Sequence, residues 1–186
     1  MPSAIPDTTC STSLSTGRAD PVRYFYDCEF IEDGTTIELV SVGVVAEDGR
    51  EFYAVSTEFD AGAAGPWVRR NVLPKLPNPS SSAWKSRSRI RDELYEFVTA
   101  PPTGGVEMWA WIGAYDHVAV CQLWGDMTAL PAAMPRFTRD VRQLWEMAGK
   151  PDLPSHPGGE HDALADARHA LMRFRAIAAK APHLGL

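Results

Sequence analysis

The sequence predicts a single α/β domain in which a mixed β-sheet is flanked by α-helices. Three observations carry that expectation. Strand-like segments follow one another between residues 23 and 59, a further buried-strand segment covers 106–113, and helical patterns fill most of the rest. The 186 residues are enough for one domain with a substantial core, and 45% hydrophobic with 23% charged residues is an ordinary globular composition.

Residues 1–21 are rich in Ser, Thr, Pro and Ala without periodicity, and are expected to be a disordered extension. Val22 opens the structured part. A valine there also fits an alternative start codon read as internal, in which case the extension is a gene-calling artefact. The domain is expected over 22–180, with 181–186 as a short tail. Alternation and β-branched or aromatic content predict strands over 23–31, 36–47 and 51–59, joined by the turns "EDGT" and "DGR". Residues 66–76 suit a short helix interrupted by Pro74. The serines before "AWKSRSRIRDELYEFV" suit an N-cap, with Ile90, Leu94 and Phe97 at helical spacing. "VEMWAWIG" is a buried strand, with Trp109 and Trp111 sharing one face as core. Helices are expected over 114–125 and 137–149, each stopping at a glycine, and over 161–180, with Leu164, Leu171, Phe174 and either Ile177 or Ala178 facing the core.

No run of about 18 apolar residues exists, so no membrane span is expected, and the N-terminus has no signal-peptide core. Cys10, Cys28 and Cys121 are too scattered for a disulfide framework or a thiolate zinc site. The expected compartment is the cytoplasm. The net charge of −6 does not mark a nucleic-acid binder, but the window from Trp67 to Arg91 carries Arg69, Arg70, Lys75, Lys85, Arg87, Arg89 and Arg91 with no acid. Two solvated helix faces would explain it equally well.

The chemistry concentrates elsewhere. In "YFYDCEFI" the carboxylates of Asp27 and Glu29 point the same way from an otherwise apolar strand. Buried unpaired charge is costly, and a divalent cation with oxygen ligands would offset it. A solvated pair is the ordinary alternative. Asp116 follows the strand 106–113 at the start of a helix, where an acid can simply favour the helix N-terminus or face a ligand crevice. His161 and Asp166 are five apart, about 140° around a regular helix. They converge only if His161 precedes the first helical turn, which Pro157, Gly158 and Gly159 favour. Asp162 is expected to cap that helix. His117 has no partner at ligand spacing, and His156, His169 and His183 are expected on loops or helix surfaces.

Asp27-x-Glu29, Asp116 and His161-x4-Asp166, in this order and context, resemble the DEDDh 3′–5′ exonucleases of the ribonuclease T and ribonuclease H-like superfamily. "RYFYDCEFIEDG", "WAWIGAYDHV" and "HDALADARHAL" are similar to a small actinobacterial branch of 3′–5′ exoribonucleases, over about residues 22–178. Many members carry Asn four residues before the second-motif Asp, where this chain has Ile112. The resemblance implies a ribonuclease H-like fold, a homodimer, and a two-metal site. Asp27, Glu29, Asp116 and Asp166 would hold two Mg²⁺ or Mn²⁺ ions, and His161 would be general base. RNA with single-stranded 3′ ends or overhangs would be the substrate and a nucleoside monophosphate the product. Phe30 could line the pocket for the terminal nucleotide or equally belong to the core. Trp84 is a candidate for base stacking, as is Trp67, and Arg87 and Arg91 for phosphate neutralisation. Alternatives left open are a non-catalytic RNA- or nucleotide-binding module, an exonuclease acting mainly on DNA, and a structural protein with a fortuitous acid cluster.

Overall fold

The computed structural model describes residues 21–100 and 104–185. The expectation for 1–21 therefore lies, except for Pro21, outside the described residues. Strands β1 (Val22–Glu32), β2 (Ile37–Ala46) and β3 (Glu51–Ser56) form an antiparallel meander. Two strands of two residues each, β4 (Trp84–Lys85) and β6 (Arg139–Asp140), were not expected. They are too short to show a period, and exist as edge pairings of the chain entering the next helix. With β5 (Val106–Ala110) they complete a six-stranded mixed sheet in the order β4-β3-β2-β1-β5-β6.

Helix α1 (Pro66–Asn71) is followed by a 3₁₀ turn at Leu73–Lys75, so Pro74 marks the break as its missing N–H requires. Helix α2 (Arg87–Thr99) begins later than the serine-rich stretch suggested. Ser86 is its cap, accepting from the N–H of Arg89, and it buries Ile90, Leu94 and Val98. Helix α3 is Ala114–Cys121, α4 is Val141–Met147, and α5 is Ala163–Lys180. Gly125 and Gly149 end their helical segments with φ of 98° and 81°, backbone that glycine adopts freely. After α5 the chain forms a 3₁₀ turn at Pro182–Leu184, and Leu184 packs on the core. No helix among the described residues is long and apolar enough to cross a membrane.

Alternation along β1 divides the interior. Tyr24, Tyr26 and Cys28 enter one core with Ile90 and Leu94 of α2 and with Ala119 and Val120 of α3. Phe25 enters the opposite core with Trp109, Val141, Leu171, Phe174 and Ile177, under α4 and α5. Asp27 and Glu29 continue the Phe25 face, where the apolar layer gives out at the N-terminal end of α5. The register of β1 against β2 shifts between Glu29 and Phe30, a bulge immediately after the second carboxylate.

Gly43 sits opposite Asp27 in that ladder. A Cβ on it would lie 2.4 Å from both the carbonyl carbon of Ala163 and the nitrogen of Leu164, both backbone atoms. The first turn of α5 thus rests directly on the sheet. Gly43→Ala is expected to destabilise the protein by about 1–3 kcal/mol, because the helix must move as a body. Gly65→Ala, with nothing within 4 Å of the added carbon, should stay within about 0.5 kcal/mol of wild type. Chemical denaturation of the two variants measures both.

Candidate active site

The site forms where β1 and β5 part. They pair in parallel only over Val22–Phe25 and Val106–Trp109. Beyond that, β1 runs on while β5 gives way to the turn 111–113 and α3. Asp116, in the first turn of α3, fills the gap: its Oδ1 accepts the Cys28 N–H at 2.7 Å. An open edge amide is satisfied by a side chain, and the carboxylate is locked beside Asp27.

Asp27 and Glu29 face a cleft of about 470 Å³, which Phe30, Trp67, His161 and Asp166 also line. His161 precedes α5 in the left-handed region, φ 63°, after Gly158 and Gly159 at φ 115° and 84°. That conformation turns its N–H onto Asp166 Oδ2 at 2.7 Å and brings two residues that a regular helix would separate to one place. Asp162 caps α5, accepting from the Ala165 N–H, as expected of it. One ligand atom each from Glu29, His161 and Asp166 lies within 4.8 Å of the others.

The electrostatics are those of a site lacking counter-charge. Burial, then the charges of Asp116, Glu29 and Asp166, push the Asp27 carboxyl well above the ordinary range. Burial, then Asp166 and Asp116, raise Glu29 to about 8, with Lys75 opposing. Asp116 is raised to about 6 by burial, although the Cys28 amide favours its charged form. All the donors are oxygen or imidazole nitrogen. Such a set, crowded and desolvated, suits a hard divalent cation.

Several neighbours were not legible in the sequence. His156 is not a surface residue: it is nearly buried and bonds Asp166 Oδ1 through Nε2 at 2.7 Å. The Gly158 N–H, 3.1 Å from Nδ1, requires that nitrogen to accept, so the neutral ring donates from Nε2. His169 is likewise buried, 2% exposed, with its ring 4.4 Å from that of His156 and Nε2 3.0 Å from the Pro154 carbonyl. The loop 151–160 folds back over α5, a long-range event without a local pattern. His117 acquires partners as well, bonding Thr138 Oγ1 at 3.1 Å and Cys121 Sγ at 3.4 Å, while Thr138 bonds Tyr26.

The candidates for substrate contact separate into two groups. Phe30 lies in the cleft and stacks on Tyr115 of α3, centroids 5.7 Å apart. Trp67 is half exposed with its ring 4.7 Å from that of His161, edge to face. Trp84, Arg87 and Arg91 do not line the cleft. Trp84 stacks on Phe59 and donates its indole N–H to the carbonyls of Pro77 and Asn78. Arg87 reaches the Gln122 carbonyl, and Arg91 bonds Asp92. Much of the basic window is engaged internally: Lys85 and Arg89 both pair with Glu93.

Residues 22–178 match the model of the 3′–5′ exoribonuclease Rv2179c-like domain family. The chain belongs to that family. It is 65% identical over 156 residues to the 3′–5′ exoribonuclease Rv2179c of Mycobacterium tuberculosis strain H37Rv, covering 84% of this chain and 93% of that one. The 3′–5′ exoribonuclease MT2234.1 of strain CDC 1551 matches equally. The Neurospora crassa Pan2 catalytic unit superposes with a TM-score of 0.51 at 15% identity, covering 92% of this chain and 29% of that one, which speaks to the fold alone. The six-stranded mixed sheet flanked by helices is thus ribonuclease H-like. Membership makes this exoribonuclease a hydrolase.

Two outcomes follow from the geometry. Glu29 binds its proton more tightly folded, about 8, than at its ordinary 4.5, so it takes up protons on folding between those values. The contribution of Glu29 to the stability of the metal-free protein should therefore be fully present below 4.5 and be lost as pH rises through about 8. Glu29→Gln should flatten that decline in thermal melts run in EDTA. His156→Ala should weaken Mn²⁺ binding by about 10–100-fold in calorimetric titration, because Asp166 loses its fixed orientation.

Proposed function

We propose that the cleft hydrolyses RNA from its 3′ end by a two-metal mechanism, releasing nucleoside 5′-monophosphates. The observation that carries this reading is the convergence of three desolvated carboxylates with raised proton affinity, Asp27, Glu29 and Asp116, beside His161 and Asp166. Asp27, Glu29, Asp116 and Asp166 would hold two Mg²⁺ or Mn²⁺ ions. Bound there, the ions supply positive charge to the attacking and leaving oxygens of phosphodiester cleavage.

The chain's own residues supply the rest. His161 is general base: its imidazole reaches the cleft from outside the helix, and it takes the proton of the attacking water. Its backbone N–H on Asp166 keeps base and carboxylate in one arrangement. Asp116 is immobilised by the β1 amide and does not swing away as charge changes. Phe30 and Trp67 offer aromatic faces on the cleft wall for the terminal nucleoside. A purely RNA-binding module needs neither a general base nor acids this costly to bury, which disfavours that alternative. The homodimer belongs to the same reading by kinship with the family, and the cytoplasm is the compartment expected from the sequence.

A gel time course on RNA with a labelled 5′ end and a 3′ overhang tests it. Shortening from the 3′ end with Mg²⁺ or Mn²⁺ is expected, abolished by EDTA and by Asp27→Ala. His161→Ala should cost about 10²–10⁴-fold in rate. A matched DNA strand ranks the two nucleic acids. An intact band with every metal, from protein that still binds the RNA, would leave the binding module in its place.

A further inference from the structure

Behind His161 and Asp166 lies a second, smaller chamber of about 240 Å³. It shares Asp27, His161 and Asp166 with the main cleft, so the two open onto the same acidic centre. Its far wall carries Trp111 and Arg173. Arg173 is seven residues beyond Asp166 on α5, which places both on one face of the helix, two turns apart.

Arg173 is held but not satisfied. Its guanidinium carbon lies 4.0 Å from the centroid of the Trp111 ring, which fixes the plane of the fork. Its Nε is fully buried with no hydrogen-bond partner. Among the described residues, no carboxylate pairs with it: both oxygens of Asp166 already take protein donors, from His156 and from the His161 N–H, and Glu160 is exposed. Burial lowers the proton affinity of Arg173, with Asp166 and Glu160 opposing from a distance. A half-buried cation that is stacked on Trp111 and unpaired among the described residues suits an external anion, and a phosphate diester is one that a planar fork binds with two parallel hydrogen bonds.

A 3′–5′ exonuclease restricts which phosphate this is. On the 3′ side of the scissile bond its substrate has one nucleoside and no further phosphate. The larger cleft, with Phe30 and Trp67, has room for that nucleoside. A second phosphate can lie only on the 5′ side. We propose that Arg173, oriented by Trp111, forms the subsite for the phosphate immediately 5′ of the scissile one. The proposal rests on the nuclease reading of the neighbouring acids.

The test compares a diribonucleotide carrying a 5′-phosphate with the same dinucleotide ending in a 5′-hydroxyl. In this substrate the 5′-phosphate occupies the position assigned to Arg173. Wild type should favour the phosphorylated form about tenfold or more in kcat/KM, the size of a charge-assisted hydrogen bond. Arg173→Gln should erase the preference by lowering kcat/KM on the phosphorylated form far more than on the hydroxyl form, and Arg173→Lys, which keeps the charge and the stem, should restore part of it. Equilibrium binding of both dinucleotides to His161→Ala protein, with and without Arg173→Gln, reads the same subsite without turnover. A preference that survives Arg173→Gln overturns the proposal. So does an equal loss on both dinucleotides, which would put Arg173 on the scissile phosphate or in the fold. Absence of cleavage by wild type would instead sink the nuclease reading, and the binding comparison would still decide the subsite.

Discussion

Gly43 has no side chain, and the first turn of α5 lies against its bare backbone. The site depends on this approach. Asp27 stands directly across the ladder from Gly43, and Asp166 belongs to the turn of helix that Gly43 admits. With the helix one carbon further out, the acids of strand and helix would face each other across water. They would be separately solvated surface groups. Close approach turns them into one desolvated centre, and that is why Glu29 holds its proton up to about 8.

Such a centre repels itself, and the surrounding structure answers with donors of fixed direction. Asp116 receives the Cys28 amide, and Asp166 receives His156 on one oxygen and the His161 amide on the other. Each bond restrains a carboxylate without neutralising it. The acids therefore cannot relax by rotating apart, and the remaining imbalance must be met by charge arriving from outside. The same principle appears at Arg173, with the opposite sign.

How much of this was legible follows from how local each signal is. The three meander strands and the five helices announce themselves through periodicity and glycine stops. Strands of two residues, such as Trp84–Lys85, cannot. The acids were legible because their spacing is short and their strand or helix context was readable. The expectation for His161 held a physical condition, that the helix start after it, and α5 begins at Ala163. The burial of His156 and His169 was missed because a proline- and glycine-rich loop gives no clue that it folds back onto a helix. The pairing within the basic window was not legible for a related reason: composition counts charges, whereas Glu93 takes both Lys85 and Arg89.

Ile112 stands in left-handed backbone, φ 61°, and is 57% exposed. A β-branched side chain is a poor occupant of that region, whereas asparagine tolerates it. This is also the position where the resemblance to DEDDh exonucleases would place asparagine. Whatever that amide contributes to substrate contact elsewhere, here it would first relieve a turn that carries strain of order 1–3 kcal/mol. The junction between β5 and α3 is therefore a spring held compressed next to Asp116, and a single amide side chain is enough to unload it. Thermal robustness can thus be tuned at this residue, and a gain there need not signal any change in the acids themselves.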